Sequence, residues 1–468
     1  MHLLEVLIFV LSVVMIGLII TKKNIKNIYV LSLPIITILV IVLHFLIDGT
    51  RWQMYALYFA DIMIIVLLYL KVFKQQAIKH FVKRGLIVVL SLFMIISLLS
   101  VIVFPIYEIP APNGDYLIGT ESFVIEDQNR YELYSDQSNE FRKIKIQIWY
   151  PAQTIEGYQK APWLEDGLVV ARALSRDTGL PFFVLDHAAN IMSNAYHLAP
   201  ISLDLNEYPV IVISHGWRGF RNLHTDMAEE LASLGYIVIG IDHTYGSVAT
   251  VFSDEDIAYL NLDALPPRET TPDFIDYANQ LVNTYASDIS TTLDYLEELN
   301  EVNSTSRFSE KFDLSEIGLL GHSTGGGADV AIALVDDRID ALIGLDAWVE
   351  PIDDEEINQG LDIPSLFLRS GSWETGLNNT SLYALIENST FPSEFYQIDG
   401  TTHYDFAMVY MYSPLTRYIG FTGSVESRYL NTILKSMISD FFNENLRNDS
   451  NSEIDANQWD EVRLITIE

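Results

Sequence analysis

Gly321-His322-Ser323-Thr324-Gly325 is the stretch of this chain with the clearest chemical content. It fits G-x-S-x-G, runs out of the apolar segment "EIGLL" and leads straight into "GGADVAIAL". Strand, sharp turn and helix are the context that a nucleophile elbow requires, because the turn lifts the serine hydroxyl clear of the sheet. The glycines leave room where side chains would collide with the neighbouring strand and helix. A serine hydroxyl needs a base, and in this architecture the order along the chain is Ser, acid, His. Of ten histidines only His403, in "DGTTHYDF", follows Ser323. For the acid, Asp346 ends the apolar run "IDALIGLD" and is the choice, being short and directly at a strand end. Glu374 in "RSGSWETG" needs a longer reach from a loop, and Asp399 lies close to His403 in the chain. Two backbone N–H groups must face the developing oxyanion. Thr324, after the nucleophile, supplies one, and Trp217 in "SHGWRG" the other. His215 and His243 read as structural residues at strand ends. The chemistry these types support is two-step acyl transfer on an ester. No H-E-x-x-H, Walker or Rossmann glycine pattern occurs, so no metal or cofactor is expected.

These residues need a scaffold. "KIKIQIWYPA" alternates as a half-buried strand, with its core at 144–152. Continuous apolar runs follow at 209–214, in "YIVIGIDHT", before Ser323, in "IDALIGLD", in "IPSLFLRSG" and in "SEFYQIDG". Helical spacing separates them at about 222–234, from Thr271 to about 300, at 324–336 and at 427–446. Strands alternating with helices predict a mostly parallel sheet covered on both faces, with ligands beyond the carboxyl ends of the strands. The predicted organisation is a membrane segment over 1–106, a polar connection over 107–140, a catalytic domain over 141–446 with a cap insertion at 153–205, and a polar tail over 447–468. The stretch 246–271 reads as a loop that joins the cap, and "VRLITIE" as a possible edge strand.

Charge divides the chain sharply. Residues 1–106 carry nine Lys/Arg against three acids, a net of +6; the remainder carries 19 against 59, a net of −40, within a total of −34. So acidic a domain repels nucleic acid and is soluble. Hydrophobic residues make up 49% of the chain, which has no cysteine and therefore no disulfide or thiolate site. Apolar runs at 3–21, 28–47, 54–73 and 86–106 each approach the ~20 residues that a bilayer span needs. Four such runs exclude a lone signal peptide. Lys/Arg concentrate in "TKKNIKN" and in "KVFKQQAIKHFVKRG", with Arg51 alone in the middle loop. The positive-inside rule then places the first and third loops in the cytoplasm, and the N-terminus and everything after residue 106 outside. Glu5, His44 and Asp61 fall towards the outer side and are expected to be wetted near the interface.

"PVIVISHGWRGFR", "GYIVIGIDHTYGS", "LLGHSTGGG", "IGLDAW" and "GTTHYDF" together resemble the platelet-activating factor acetylhydrolase group of plasma type, with features of dienelactone-hydrolase-like and cutinase-like esterases. The resemblance covers roughly residues 140–445. It implies an α/β-hydrolase fold, with the family's nucleophile on Ser323, its acid on Asp346, its base on His403 and its oxyanion donors on Trp217 and Thr324. It also implies a short-chain or oxidised lipid ester as substrate and no cofactor. The expectation is therefore a membrane-anchored, extracytoplasmic serine ester hydrolase. Rival readings are a broad carboxylesterase or polyester hydrolase, and a membrane sensor that binds ligand without turnover. The sequence names no protein partner.

Overall fold

A computed structural model of the chain describes residues 2–21, 27–72, 80–136, 139–302, 304–449 and 452–467. Apolar helices come first: α1 (Leu3–Ile20), α2 (Asn27–Ile47), α3 (Tyr55–Val72) and α4 (His80–Val103). Leu3–Ile20, Trp52–Lys71 and Phe81–Val103 are long and apolar enough to cross a membrane. The second helix differs from the expectation: it contains Pro34, and its apolar part, Leu31–Ile47, is shorter than the other three. The expected basic loops, with Lys22, Lys23, Lys26, Lys74 and Lys79, lie outside the described residues.

The bundle is not wet where the sequence suggested. Glu5, His44 and Asp61 are all at most 1% exposed. Glu5 pairs with Arg51, and His44 Nε2 lies 3.4 Å from Glu5 Oε1. Asp61 accepts from the Ser12 hydroxyl at 2.5 Å, and Ser12 sits midway along α1, so this carboxyl is at half depth rather than at the outer end. Buried in this way, these side chains take partners from neighbouring helices and the loop between α2 and α3.

The remaining strands are β1 (Leu117–Tyr131), β2 (Phe141–Ala152), β3 (Lys160–Pro162), β4 (Met192–His197), β5 (Tyr208–Ser214), β6 (Ile237–Asp242), β7 (Ala249–Val251), β8 (Ile257–Tyr259), β9 (Phe312–His322), β10 (Ala341–Leu345), β11 (Ser365–Ser370), β12 (Ser393–Ile398) and β13 (Val462–Leu464). Eleven of them form one sheet in the order β13-β12-β11-β10-β9-β5-β6-β2-β1-β4-β3. β12, β11, β10, β9, β5 and β6 run parallel to one another. The helices are α5 (Gly167–Asp177), α6 (Thr225–Ser233), α7 (Phe274–Asn300), α8 (Thr324–Ala333), α9 (Asp354–Ile357), α10 (Asn378–Asn388) and α11 (Ser427–Arg447). One apolar core joins the sheet to α7, α8 and α10, and a second joins its other face to α6 and α11. The β5, β6 and β10 side chains are buried throughout, as strands covered on both faces require.

Three stretches read as irregular are more ordered. The supposed connection over 107–140 contains β1, a fifteen-residue strand paired antiparallel along β2. Its acids, Glu121, Glu126 and Asp127, hid it, because one face of β1 is partly exposed. The 153–205 insertion adds β3, α5 and β4, and its Glu165 and Asp166 clamp Arg221 beside β5, each at 2.7 Å. The 246–271 loop holds the β7–β8 hairpin. The tail returns as β13, antiparallel on β12.

The insertion rests on the helical bundle. Trp52 Nε1 donates to the Val184 carbonyl at 3.2 Å, and its ring meets Phe183 edge-on at 5.3 Å. Phe104 meets His187 at 5.5 Å, and the Ser413 hydroxyl donates to the Val103 carbonyl at 2.6 Å.

Candidate active site

Sheet order explains which residues meet. Reading across β12, β11, β10, β9 and β5, the residues just past or at the carboxyl ends are His403, Ser370, Asp346, Ser323 and Trp217 in turn. Residues distant in sequence thus become neighbours at one edge of the sheet.

Ser323 joins β9 to α8 with φ +57° and ψ −120°, a conformation that L-residues rarely adopt. The turn is possible because its surroundings have no side chains. A Cβ on Gly321 would lie 2.5 Å from the Gly326 Cα, one on Gly325 would strike the Ser214 carbonyl, and one on Gly216 would come within 2.8 Å of the Ser323 Cβ. The Ser323 N–H donates to the Leu345 carbonyl at 3.0 Å, and its own carbonyl accepts from Gly327 and Trp348 N–H groups. The strained residue is therefore held on both sides.

His403 Nδ1 lies 3.0 Å from Asp346 Oδ2. Asp346 also has a positive φ, +43°, and its carboxylate is buried. It accepts from the Ser370 N–H at 2.7 Å and from the Ser370 hydroxyl at 2.6 Å. Those bonds fix the carboxylate in one orientation. The alternatives lie elsewhere: Glu374 and Asp399 both face Arg463, at 3.2 and 3.3 Å.

His403 is held through both its ring and its backbone. Its ring stacks on Trp373, with centroids 4.4 Å apart and planes within 3°. The backbone N–H of His403 donates to the Ser372 hydroxyl at 3.0 Å, and its backbone carbonyl accepts from His322 Nε2 at 3.0 Å. Since a carbonyl only accepts, His322 carries its proton on Nε2. Burial, with His403 and His224 close by, pushes the His322 pKa well down, so that ring is neutral. Ser370, Ser372, Trp373 and His322 are supporting residues that sequence reasoning missed. The signal available was "RSGSW", where two serines flank a glycine at the end of a strand facing the proposed acid.

The Trp217 N–H has no acceptor among the described residues, and Thr324 is the first residue of α8, where the helix supplies none. The preceding peptide is oriented by His215. The His243 N–H donates to His215 Nε2 at 3.3 Å, so Nε2 is unprotonated and Nδ1–H donates to the Gly216 carbonyl at 2.7 Å. Gly219 N–H donates to that carbonyl too, at 2.9 Å. In a trans peptide the N–H points opposite to the C=O. Holding the Gly216 carbonyl against His215 therefore turns the Trp217 N–H the other way. His215 and His243 are both fully enclosed, and burial, with His243 beside it, depresses the His215 pKa well below the usual range.

A family model described as platelet-activating factor acetylhydrolase, isoform II, matches residues 101–464. The chain belongs to this family. The platelet-activating factor acetylhydrolase of Gallus gallus is 25% identical over 332 residues, 64% of this chain and 74% of that protein. The acetylhydrolase of Canis lupus familiaris is 25% identical over 289 residues, 56% of this chain and 60% of the dog protein, so a substantial part of that relative lies outside the match. Among solved structures, the ferulic acid esterase from Streptomyces cinnamoneus superposes with a TM-score of 0.63 at 22% identity, covering 77% of this chain and 100% of that one. At that identity the likeness speaks for the fold alone. The acetylhydrolase family match begins at residue 101, at the end of α4, so the helices before it are an addition to the matched domain.

Proposed function

We propose that this protein is a membrane-anchored serine ester hydrolase whose catalytic domain faces away from the cytoplasm. Its substrates are short-chain or oxidised lipid esters. The observation that carries the reading is the strained Ser323 elbow on the same sheet edge as the 3.0 Å His403–Asp346 pair.

His403 takes the Ser323 proton as the hydroxyl attacks the ester carbonyl. Asp346 holds the Nδ1–H tautomer and stabilises the imidazolium. The Trp217 and Thr324 N–H groups receive the oxyanion. His403 then protonates the leaving alcohol, and water, activated by the same ring, releases the acid and regenerates Ser323.

Anchoring is supported by the three long apolar helices together with the shorter α2. Orientation is supported by the two ends of the bundle. Lys71 and Lys83 donate to carbonyls at the last turn of α1, those of Ile19 and Thr21 among them, while Trp52 and Phe104 meet the insertion at the opposite end. Cations gather at the cytoplasmic end of a bundle. The contact between bundle and insertion supports a cap docked on the anchor, with the substrate taken from the membrane side.

The test is hydrolysis of p-nitrophenyl esters from acetate to palmitate by the full-length protein in detergent, beside Ser323→Ala. Activity confined to the unsubstituted protein and falling beyond short acyl chains is expected. A folded protein inactive on every chain length would sink the reading and favour the ligand-binding sensor.

A further inference from the structure

The region after residue 106 is poor in cations and commits nearly all of them. The chain has 28 lysines and arginines, of which nine precede residue 106, leaving nineteen. Seventeen hold an acid, an oxygen acceptor or an aromatic ring. The other two, Lys160 and Arg428, hold none of these among the described residues. In a segment with a net charge of −40, two idle cations are unexpected, and both line the same cavity.

That cavity has a volume of about 670 Å³ and contains none of Ser323, Asp346 and His403 in its walls. It opens to solvent, with Lys160 and Arg428 both exposed, and is bounded by the segment from Ile106 to Asn113, by β3 and β4 of the insertion, and by α11 from Arg428 to Lys435. His2, the residue before α1, forms its lower wall. The cavity therefore begins where the apolar helices end, at the depth of lipid headgroups.

Its electrostatics favour an anion. Glu108 is the one carboxylate among the described lining residues. The buried acids of α6 lie behind the wall and are already engaged: Asn431 donates to Asp226, Asn194 to Glu229, and Asn113 with Lys435 to Glu230. Lys435 is committed to Glu230 and to the Ala111 carbonyl, which leaves Lys160 and Arg428 as the free charges. An arginine fork and a lysine point charge in the walls of one cavity suit a phosphate ester. The volume exceeds what inorganic phosphate fills and suits a glycerophosphate headgroup.

We infer that this cavity binds the phosphate of a membrane phospholipid, held by Lys160 and Arg428, at the joint between the helical bundle and the hydrolase. The lipid as source rests on the anchor reading above; the phosphate chemistry does not, and neither depends on Ser323.

The test uses the full-length protein in a neutral detergent. Thermal midpoints are followed while phosphatidylglycerol, phosphatidylcholine, diacylglycerol or glycerol 3-phosphate is titrated in, since a ligand of the folded state raises the midpoint. Both phospholipids should raise it and diacylglycerol should not. The Lys160→Gln/Arg428→Gln protein, whose substituted side chains hold no partner, should keep its lipid-free midpoint and its hydrolysis of p-nitrophenyl butyrate. It should bind phospholipid about a hundredfold more weakly, roughly tenfold per charge-assisted bond lost. Equal protection of the double variant, protection by diacylglycerol, or no response to any phospholipid would overturn the site. Protection by glycerol 3-phosphate but by neither phospholipid would overturn the lipid occupant in favour of a soluble phosphate ester. Failure of the unsubstituted protein to hydrolyse the ester would strike the proposed function and leave the binding result standing.

Discussion

Two histidine–aspartate pairs of the hydrolase region are nearly equal in length, His403–Asp346 at 3.0 Å and His243–Asp288 at 3.1 Å. Their surroundings are opposite. Among the described residues Asp346 is satisfied by Ser370 alone besides His403 and meets no lysine or arginine, and the His403 side chain is 19% exposed. Asp288 is shared with Arg142 and Arg130, at 2.6 and 2.9 Å, and His243 is fully enclosed beneath Tyr285, whose ring stacks on it at 3.8 Å. Burial alone would raise the Asp288 carboxyl; Arg142 and the hydrogen bonds from His243 and Arg142 instead hold it far below the usual range. The lesson is that the pair is not the device. A carboxylate already neutralised by guanidinium groups has little left to stabilise an imidazolium, and a sealed ring has no substrate to serve. What distinguishes His403 is a partly exposed ring at the same carboxyl edge of the sheet as Ser323, and a carboxylate with no competing cation among the described residues.

Exchanging the two aspartates should separate these roles. Asp346→Asn should lower kcat by about 10³–10⁴-fold, as the wrong tautomer does in such triads, with the unfolding midpoint nearly unchanged. Asp288→Asn should do the reverse. Removing the acid from the buried cluster leaves Arg142 short of a counter-charge, and breaking such a pair costs about 3–5 kcal/mol, read by denaturant unfolding, while the folded fraction keeps its kcat. If both variants lost activity in parallel with stability, the contrast would be wrong.

His215 meets the buried pair, its ring 5.2 Å from that of His243, and its substitution should have a smaller effect. His215→Ala removes one of the two donors to the Gly216 carbonyl, leaving the Gly219 N–H, and loosens the peptide proposed to face the oxyanion. We expect kcat to fall about 10²-fold, the order seen when one oxyanion donor is lost, with KM nearly constant. A purely structural role would instead lower the active fraction without changing kcat per active site.

The smallest effect is on pH dependence, and it lies away from both pairs. Burial raises the Glu229 pKa to about 7 despite hydrogen bonds from Asn194. The folded protein thus keeps a proton that the unfolded chain releases near the ordinary value of 4.5. Stability from this group is fully present below that value and is lost as pH rises to about 7. Glu229→Gln should flatten the fall in thermal midpoint over that window; an unchanged slope would reassign it to Asp226, also raised by burial, to about 6.

The sequence disclosed elements with a single periodic signature. Runs buried on both faces, such as "VIVIS" and "ALIGL", could only be inner strands, and G-x-S-x-G between strand and helix placed the elbow. β1 escaped because its exposed face carries acids, and packing rather than pattern made it a strand. The pairing of His403 with Asp346 could be named from chain order. Their supports could not, because the stacking of Trp373 on His403 and the reach of His322 to the His403 carbonyl are set by tertiary approach. Likewise the outer position read for Asp61 came from its place in α3, whereas its depth is set by Ser12 on the facing helix.

The most direct test of the account is labelling with a fluorophosphonate, which reacts with a serine only when a base activates it. Peptide mapping of the full-length protein should find one label, on Ser323, absent in His403→Ala and retained in Asp288→Asn. A label on another serine, or labelling of Ser323 at an unchanged rate in His403→Ala, would contradict the claim that His403, paired with Asp346, activates Ser323.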